Sequence, residues 1–143
     1  MEKIVKLKKK LISILGNYNQ QVFYEDEEND FILIWQDDDA VYKYKGEFKS
    51  PANEKVSPFN FTMQGKGKIT KIAKKRDDMI FIYEGNFENN QIIKGKWELI
   101  VNDFVEGKYD GEFKEFLFHG EGCFTNYLKD KNGEKTYGTF AKR

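Results

Sequence analysis

His119 and Cys123 are the chain's only histidine and only cysteine, and four positions separate them. A cysteine beside a histidine can form a nucleophile–base pair, provided the reacting atoms come within about 3 Å. The surrounding residues read as a strand, along which four residues span roughly 13 Å. A catalytic pair is therefore not expected. His119 and Glu121 would lie about 7 Å apart on one strand face, and two such ligands without a third make no metal centre. Asp37-Asp38-Asp39 lacks the alternating ligands and the sixth-position glycine of a calcium loop. Gly65-Lys-Gly67-Lys lacks both the Lys-Ser/Thr ending and the following helix of a phosphate loop. Carboxylates are plentiful, but no spacing singles out an acid–base couple. The expectation is a chain that is not an enzyme, with no catalytic residues, metal or cofactor.

Positive charge gathers in two places. Lys66, Lys68, Lys71, Lys74, Lys75 and Arg76 cluster near mid-chain, partly balanced by Asp77 and Asp78. Lys3, Lys6, Lys8, Lys9 and Lys10 crowd the first residues. Such groups meet acidic lipid headgroups, phosphate backbones or acidic protein surfaces, or form ordinary solvated faces. Lys6, Lys9, Lys10, Lys71, Lys74, Lys75 and Arg76 are the candidate contacts to a protein partner or to acidic phospholipid. The formal net charge of the 143-residue chain is zero, so direct nucleic-acid binding is not expected.

The elements that would position these residues are mostly strands. Aromatic content is 16%, with 13 Phe and 8 Tyr, a composition suited to a ring-rich β core. No apolar run approaches the roughly 20 residues that span a bilayer. One cysteine excludes an internal disulfide framework and fits a reducing compartment. An intracellular, cytoplasmic or cytoskeletal location is expected.

Residues 1–16 are set apart. Ile4, Leu7, Leu11 and Leu15 recur at helical spacing, lysines fill the remaining surface, and Gly16-Asn17 is a stop signal. This amphipathic helix packs on the sheet or caps its first strand, or else docks a partner or a membrane surface. A mitochondrial presequence is poorly supported, since the segment has no Arg. Residues 17–143 read as a single β domain. Gln21–Tyr24 suggests a short strand, Glu25–Asp30 a solvated acidic loop, and Phe31–Gln36 a strand covered on both faces. Lys49–Pro58 reads as a loop insertion.

From about residue 40 to 140 the chain repeats itself. Tyr44-Lys-Gly46-Glu-Phe48, Tyr83-Glu-Gly85-Asn-Phe87 and Tyr109-Asp-Gly111-Glu-Phe113 share one pattern, with an imperfect copy at Tyr137. Gly65-Lys-Gly67 and Gly120-Glu-Gly122 follow as returning strands. Gly95-Lys-Trp97 reads as a degenerate return in which Trp97 replaces the second glycine. Side chains alternate along a strand, so Tyr109, Gly111 and Phe113 share a face, opposite Asp110 and Glu112. Rings can then lie over glycines of the neighbouring strand, where no Cβ blocks them.

This pattern resembles the MORN repeat, and the chain is similar to a divergent member of that family. The resemblance implies a mainly β fold: an elongated, twisted antiparallel sheet of stacked hairpins, here with a short N-terminal helix. Tyr44, Gly46, Phe48, Gly65, Gly67, Tyr83, Gly85, Phe87, Gly95, Tyr109, Gly111, Phe113, Gly120 and Gly122 would be its structural residues. It also implies a scaffold or accessory subunit that binds proteins within a membrane-associated, cytoskeletal or axonemal assembly. Binding of acidic phospholipid, or support of an enzyme or nucleic-acid complex, are the alternatives.

Overall fold

A computed structural model describes residues 2–16, 21–127 and 134–140, with side chains for all but Glu2 and the last of these segments. Among the described residues, the helix α1 (Glu2–Leu15) is followed by nine strands: β1 (Val22–Glu25), β2 (Phe31–Gln36), β3 (Ala40–Lys49), β4 (Thr62–Ala73), β5 (Met79–Glu88), β6 (Gln91–Val101), β7 (Phe104–Lys114), β8 (Leu117–Asn126) and β9 (Glu134–Phe140). They form one antiparallel sheet in which each strand pairs with its sequence neighbour. The expected β-hairpin architecture with a short N-terminal helix is therefore present.

Turn chemistry sets this meander. Asn89-Asn90 and Asn102-Asp103 occupy the left-handed region, with φ of 49° and 69°, and 53° and 66°. Two-residue hairpin loops need positive φ at both positions, which Asn and Asp tolerate. Glu115-Phe116 does the same between β7 and β8, at 52° and 62°. The insertion between β3 and β4 is longer. It returns Val56 and Phe61 to the sheet, with Phe61 stacked on Phe48 at 4.4 Å.

The sheet has two apolar faces. On one, Leu33, Tyr44, Ile69, Phe87, Tyr109 and Phe113 are buried among further rings. On the other, Ile32, Ile34, Val41, Ile72 and Ile80 pack against α1 through Leu11 and Leu15, both fully buried. Burial of each leucine contributes about 1.5–3 kcal/mol. The strand β2 thus has Leu33 on one face and Ile32 and Ile34 on the other, as its unbroken apolar run implied. Gly16 ends the helix at φ 62°, its N–H donating to the Ile12 carbonyl at 2.8 Å.

Of the two expected placements on the sheet, α1 takes the first: it covers a face and does not cap the edge strand, which is β1. Two expectations change. Lys8 is not part of the free lysine surface. It is 7% exposed, and its Nζ donates to the Lys74 carbonyl and to Asp77, both at 2.8 Å. The acidic β1–β2 loop is not merely solvated. Asp26 accepts the Glu28 and Asp30 amides, and Lys45 reaches Asp26 at 2.9 Å and Asp30 at 3.4 Å.

Candidate functional site

A row of glycines crosses seven strands. Gly46 faces Gly67, which faces Gly85, and the register continues through Gly95, Gly111 and Gly122 to Gly138. Within each hairpin the backbones press together here. A Cβ on Gly85 would come 2.6 Å from Gly95 Cα, and one on Gly111 would come 2.5 Å from Gly122 Cα. No other residue type permits that approach.

Two residues before the glycine on each outgoing strand stand Tyr44, Tyr83 and Tyr109, facing Ile69, Trp97 and Phe124. The Tyr44 ring covers Gly67, where a Cβ would lie 2.5 Å from Cε1 and 2.6 Å from Cζ. The Tyr109 ring covers Gly122 in the same way, with a Cβ 2.5 Å from both Cε1 and Cζ. Tyr44 Oη donates to the Glu47 carbonyl, and Tyr109 Oη to the Glu112 carbonyl at 2.7 Å. Each tyrosine thus bonds three residues along its own strand. Burial raises the pKa of both phenols above the usual value.

Glutamate at the motif's fourth position is the functional residue that the alternation pattern missed. Glu47 Oε1 accepts the Lys66 amide at 2.6 Å, and Glu112 Oε1 accepts the Glu121 amide at 3.1 Å. Both amides belong to a register break on the returning strand, where Gly65 and Gly120 take φ of 96° and 61°. These first glycines are bulge residues, needed for their backbone conformation. The recurrence of glutamate in two of the three motifs was the available signal.

The middle hairpin corrects the sequence reading. Gly95 occupies the row of Gly67 and Gly122, so the second glycine is present. Trp97 stands where Ile69 and Phe124 stand. The missing residue is the first glycine, and Ile93 holds its place. The bulge in β6 is one residue shorter, and Asn86 replaces the capping glutamate. At Gly95 the nearest atoms to a Cβ are backbone of Glu84 and Gly85, where at Gly67 and Gly122 they are tyrosine side-chain atoms. Tyr83 instead meets Phe113 at 6.1 Å and Phe116 at 5.6 Å. In β9, Gly138 keeps the glycine row while Thr136 takes the register position of Phe124, with Tyr137 one place aside.

Ring contacts also join one motif to the next. Tyr44 meets Phe87 edge-on at 5.2 Å, as Tyr83 meets Phe113. Such contacts contribute about 0.5–1.5 kcal/mol beyond area burial.

The ring face holds a cleft of about 300 Å³. One wall is Trp35 stacked on Tyr42, with centroids 5.1 Å apart and planes 4° from parallel. The other is Tyr83 with Phe116, and Ile69 lies between. Asp37 and Lys71 stand at the rim. Asp37 accepts the Tyr42 hydroxyl at 2.6 Å and the Asp39 and Ala40 amides at 2.8 Å. Burial opposes the charged form of Asp37, but these hydrogen bonds outweigh it and hold the carboxyl below its usual pKa. Burial and the Asp37 bond push the Tyr42 phenol well up.

The basic residues divide between places: Lys10, Lys45 and Lys68 lie close enough to Lys43 that, after burial, their charges help lower its pKa. Lys6, Lys9 and Lys10 are exposed on α1, with Lys10 Nζ 5.8 Å from the Tyr24 ring. Lys71 lies on the ring face, 5.7 Å from Tyr42 and 5.2 Å from Phe81. Arg76 forks onto Asp78 at 2.9 and 2.8 Å. Lys74 is half-buried, and its amide bonds the Asp39 carbonyl at 2.9 Å. Lys75 is exposed. Lys71, Lys74, Lys75 and Arg76 thus differ in burial and partners, while Lys66 and Lys68 are exposed on β4.

On the remaining chemistry, Cys123 faces Asp110 across the ladder while His119 faces Glu112. His119 Nδ1 is buried without a hydrogen-bond partner among the described residues. No group of three or more metal-ligating side chains occurs among the described residues. No described helix is long and apolar enough to cross a membrane. No family model and no curated protein matches the chain.

Proposed function

We propose that this protein is a MORN-type repeat scaffold or accessory subunit, without catalytic activity of its own, that binds proteins within a larger intracellular assembly. One observation carries the reading. Tyr44 and Tyr109 repeat the same arrangement: ring over a partner-strand glycine, hydroxyl to the carbonyl three residues on, and a glutamate capping the adjoining bulge. Geometry reproduced in separate hairpins supports a modular sheet whose use is its surface. The partly open ring face supports protein docking, since half-buried aromatic side chains supply much of the energy at protein interfaces.

Affinity purification of the full chain at native expression, read by mass spectrometry, tests this reading. A stoichiometric partner is expected. Recovery of the chain alone would contradict it.

The competing phospholipid reading now rests on exposed Lys6, Lys9 and Lys10 of α1. Deleting residues 1–16 would also remove Leu11 and Leu15 from the core, so charge reversal at Lys6 and Lys9 is the cleaner variant. Anionic vesicles are expected to pellet no more of the wild type than of that variant at low salt. A clear loss of pelleting on reversal would favour the membrane.

A further inference from the structure

The ring-face cleft draws its walls from distant strands. Trp35 and Tyr42 come from β2 and β3, while Phe116 comes from the β7–β8 turn. In a flat sheet, β2 and β7 would stand roughly 24 Å apart. The Phe116 ring reaches back across the ring face to Tyr83 of β5, 5.6 Å away, and so helps line the cleft. Phe116 sits at φ 62°, a conformation that bulky residues avoid. The other two-residue turns use Asn and Asp at these positions, so the third departs from ordinary turn chemistry where its ring completes the wall. Residues held against their backbone preference cluster at ligand clamps.

The rim carries a second signal. Lys8, Lys45 and Arg76 each reach a carboxylate within 2.9 Å. Lys71 is half-buried among rings and has no hydrogen bond or ion pair among the described residues. The Asp37 carboxylate lines the same cleft and its charge interacts with that of Lys71, but the two form no ion pair, and Asp37 accepts the Tyr42 hydroxyl and two turn amides. An ammonium in apolar surroundings favours an incoming anion more strongly than one in water. The volume, about 300 Å³, is at the small end of ligand clefts and suits one or two side chains.

We propose that this cleft docks a peptide segment in which an aromatic or large aliphatic side chain sits beside a carboxylate. The side chain enters between the Trp35–Tyr42 stack and the Tyr83–Phe116 pair, and the carboxylate meets Lys71. This rests on the scaffold reading and assigns that scaffold a docking site and a partner chemistry.

The test titrates the full chain with acetyl-Gly-Phe-Glu-Phe-Glu-Gly-amide and with its Gln-for-Glu twin, following the Trp35 indole N–H by NMR. The Glu peptide is expected to move that signal saturably, and the Gln peptide to bind about fivefold more weakly or worse. Lys71→Gln is expected to abolish the difference and Lys71→Arg to keep it. An unmoved Trp35 signal at several millimolar Glu peptide (on the order of the weakest useful affinities) would overturn the proposal. So would equal binding of the two peptides, a comparison that needs no variant. If native partners co-purify but the two peptides bind alike, the cleft assignment fails and the scaffold reading stands. If no partner co-purifies, the scaffold reading fails whatever the peptides do.

Discussion

Tyr44 and Tyr109 set two demands on their neighbours: a glycine under the ring and a carbonyl within reach of the hydroxyl. A methyl group on Gly67 or Gly122 would have to displace the ring, and overpacking of this kind costs about 1–3 kcal/mol. Gly67→Ala and Gly122→Ala are expected to lose that much in urea unfolding. In the Tyr109→Ala background, Gly122→Ala is expected to lose substantially less, because the clash with the ring is gone. The phenols also impose a pH limit. Burial raises the pKa of Tyr42, Tyr44, Tyr83 and Tyr109 in the folded state. Their contribution is therefore complete below the unfolded value of about 10 and is lost as pH rises through the folded values. The melting temperature is expected to fall above about pH 10. Phenolate absorbance should then rise together with unfolding, and a gradual rise in the intact fold would contradict this.

At the scale of elements, α1 is held by its leucines and by one lysine. Lys8→Ala removes a buried stem and a bond to the Lys74 carbonyl, and is expected to cost about 1–2 kcal/mol. Asp77→Asn, at the exposed end of the same contact, is expected to cost under about 1 kcal/mol by thermal melting. The leucine spacing made the helix readable, because apolar periodicity follows helix geometry directly. Lys8 was not readable as an anchor, since its partners lie 66 and 69 residues away. The hairpins were readable from Tyr-x-Gly-x-Phe and from the returning Gly-x-Gly strands. The roles of Gly95 and Trp97 were not, because bulges of different size shift which residues face one another. Glutamate at the fourth motif position read as an outward polar residue until the bulge gave it an amide to bind.

The whole molecule joins a glycine row to a ring-covered face, with a helix on the other side of the first strands. Neighbouring motifs share ring contacts, so damage to one hairpin should spread to the next. Phe87→Ala removes the edge-on partner of Tyr44 and a buried core side chain. It is expected to cost about 3–5 kcal/mol and, by amide hydrogen exchange, to lower protection in β3 as well as β5. The cleft could not be foreseen from spacing, because it depends on the Phe116 ring of the β7–β8 turn reaching over Tyr83 two strands away. The most direct test of the account is the proton NMR spectrum of the full chain. Rings stacked on glycines should shift the Gly67 and Gly122 Hα protons upfield and give cross-relaxation to Tyr44 and Tyr109. Ordinary glycine shifts at both positions, without contacts to those rings, would contradict the repeated packing on which the scaffold reading depends.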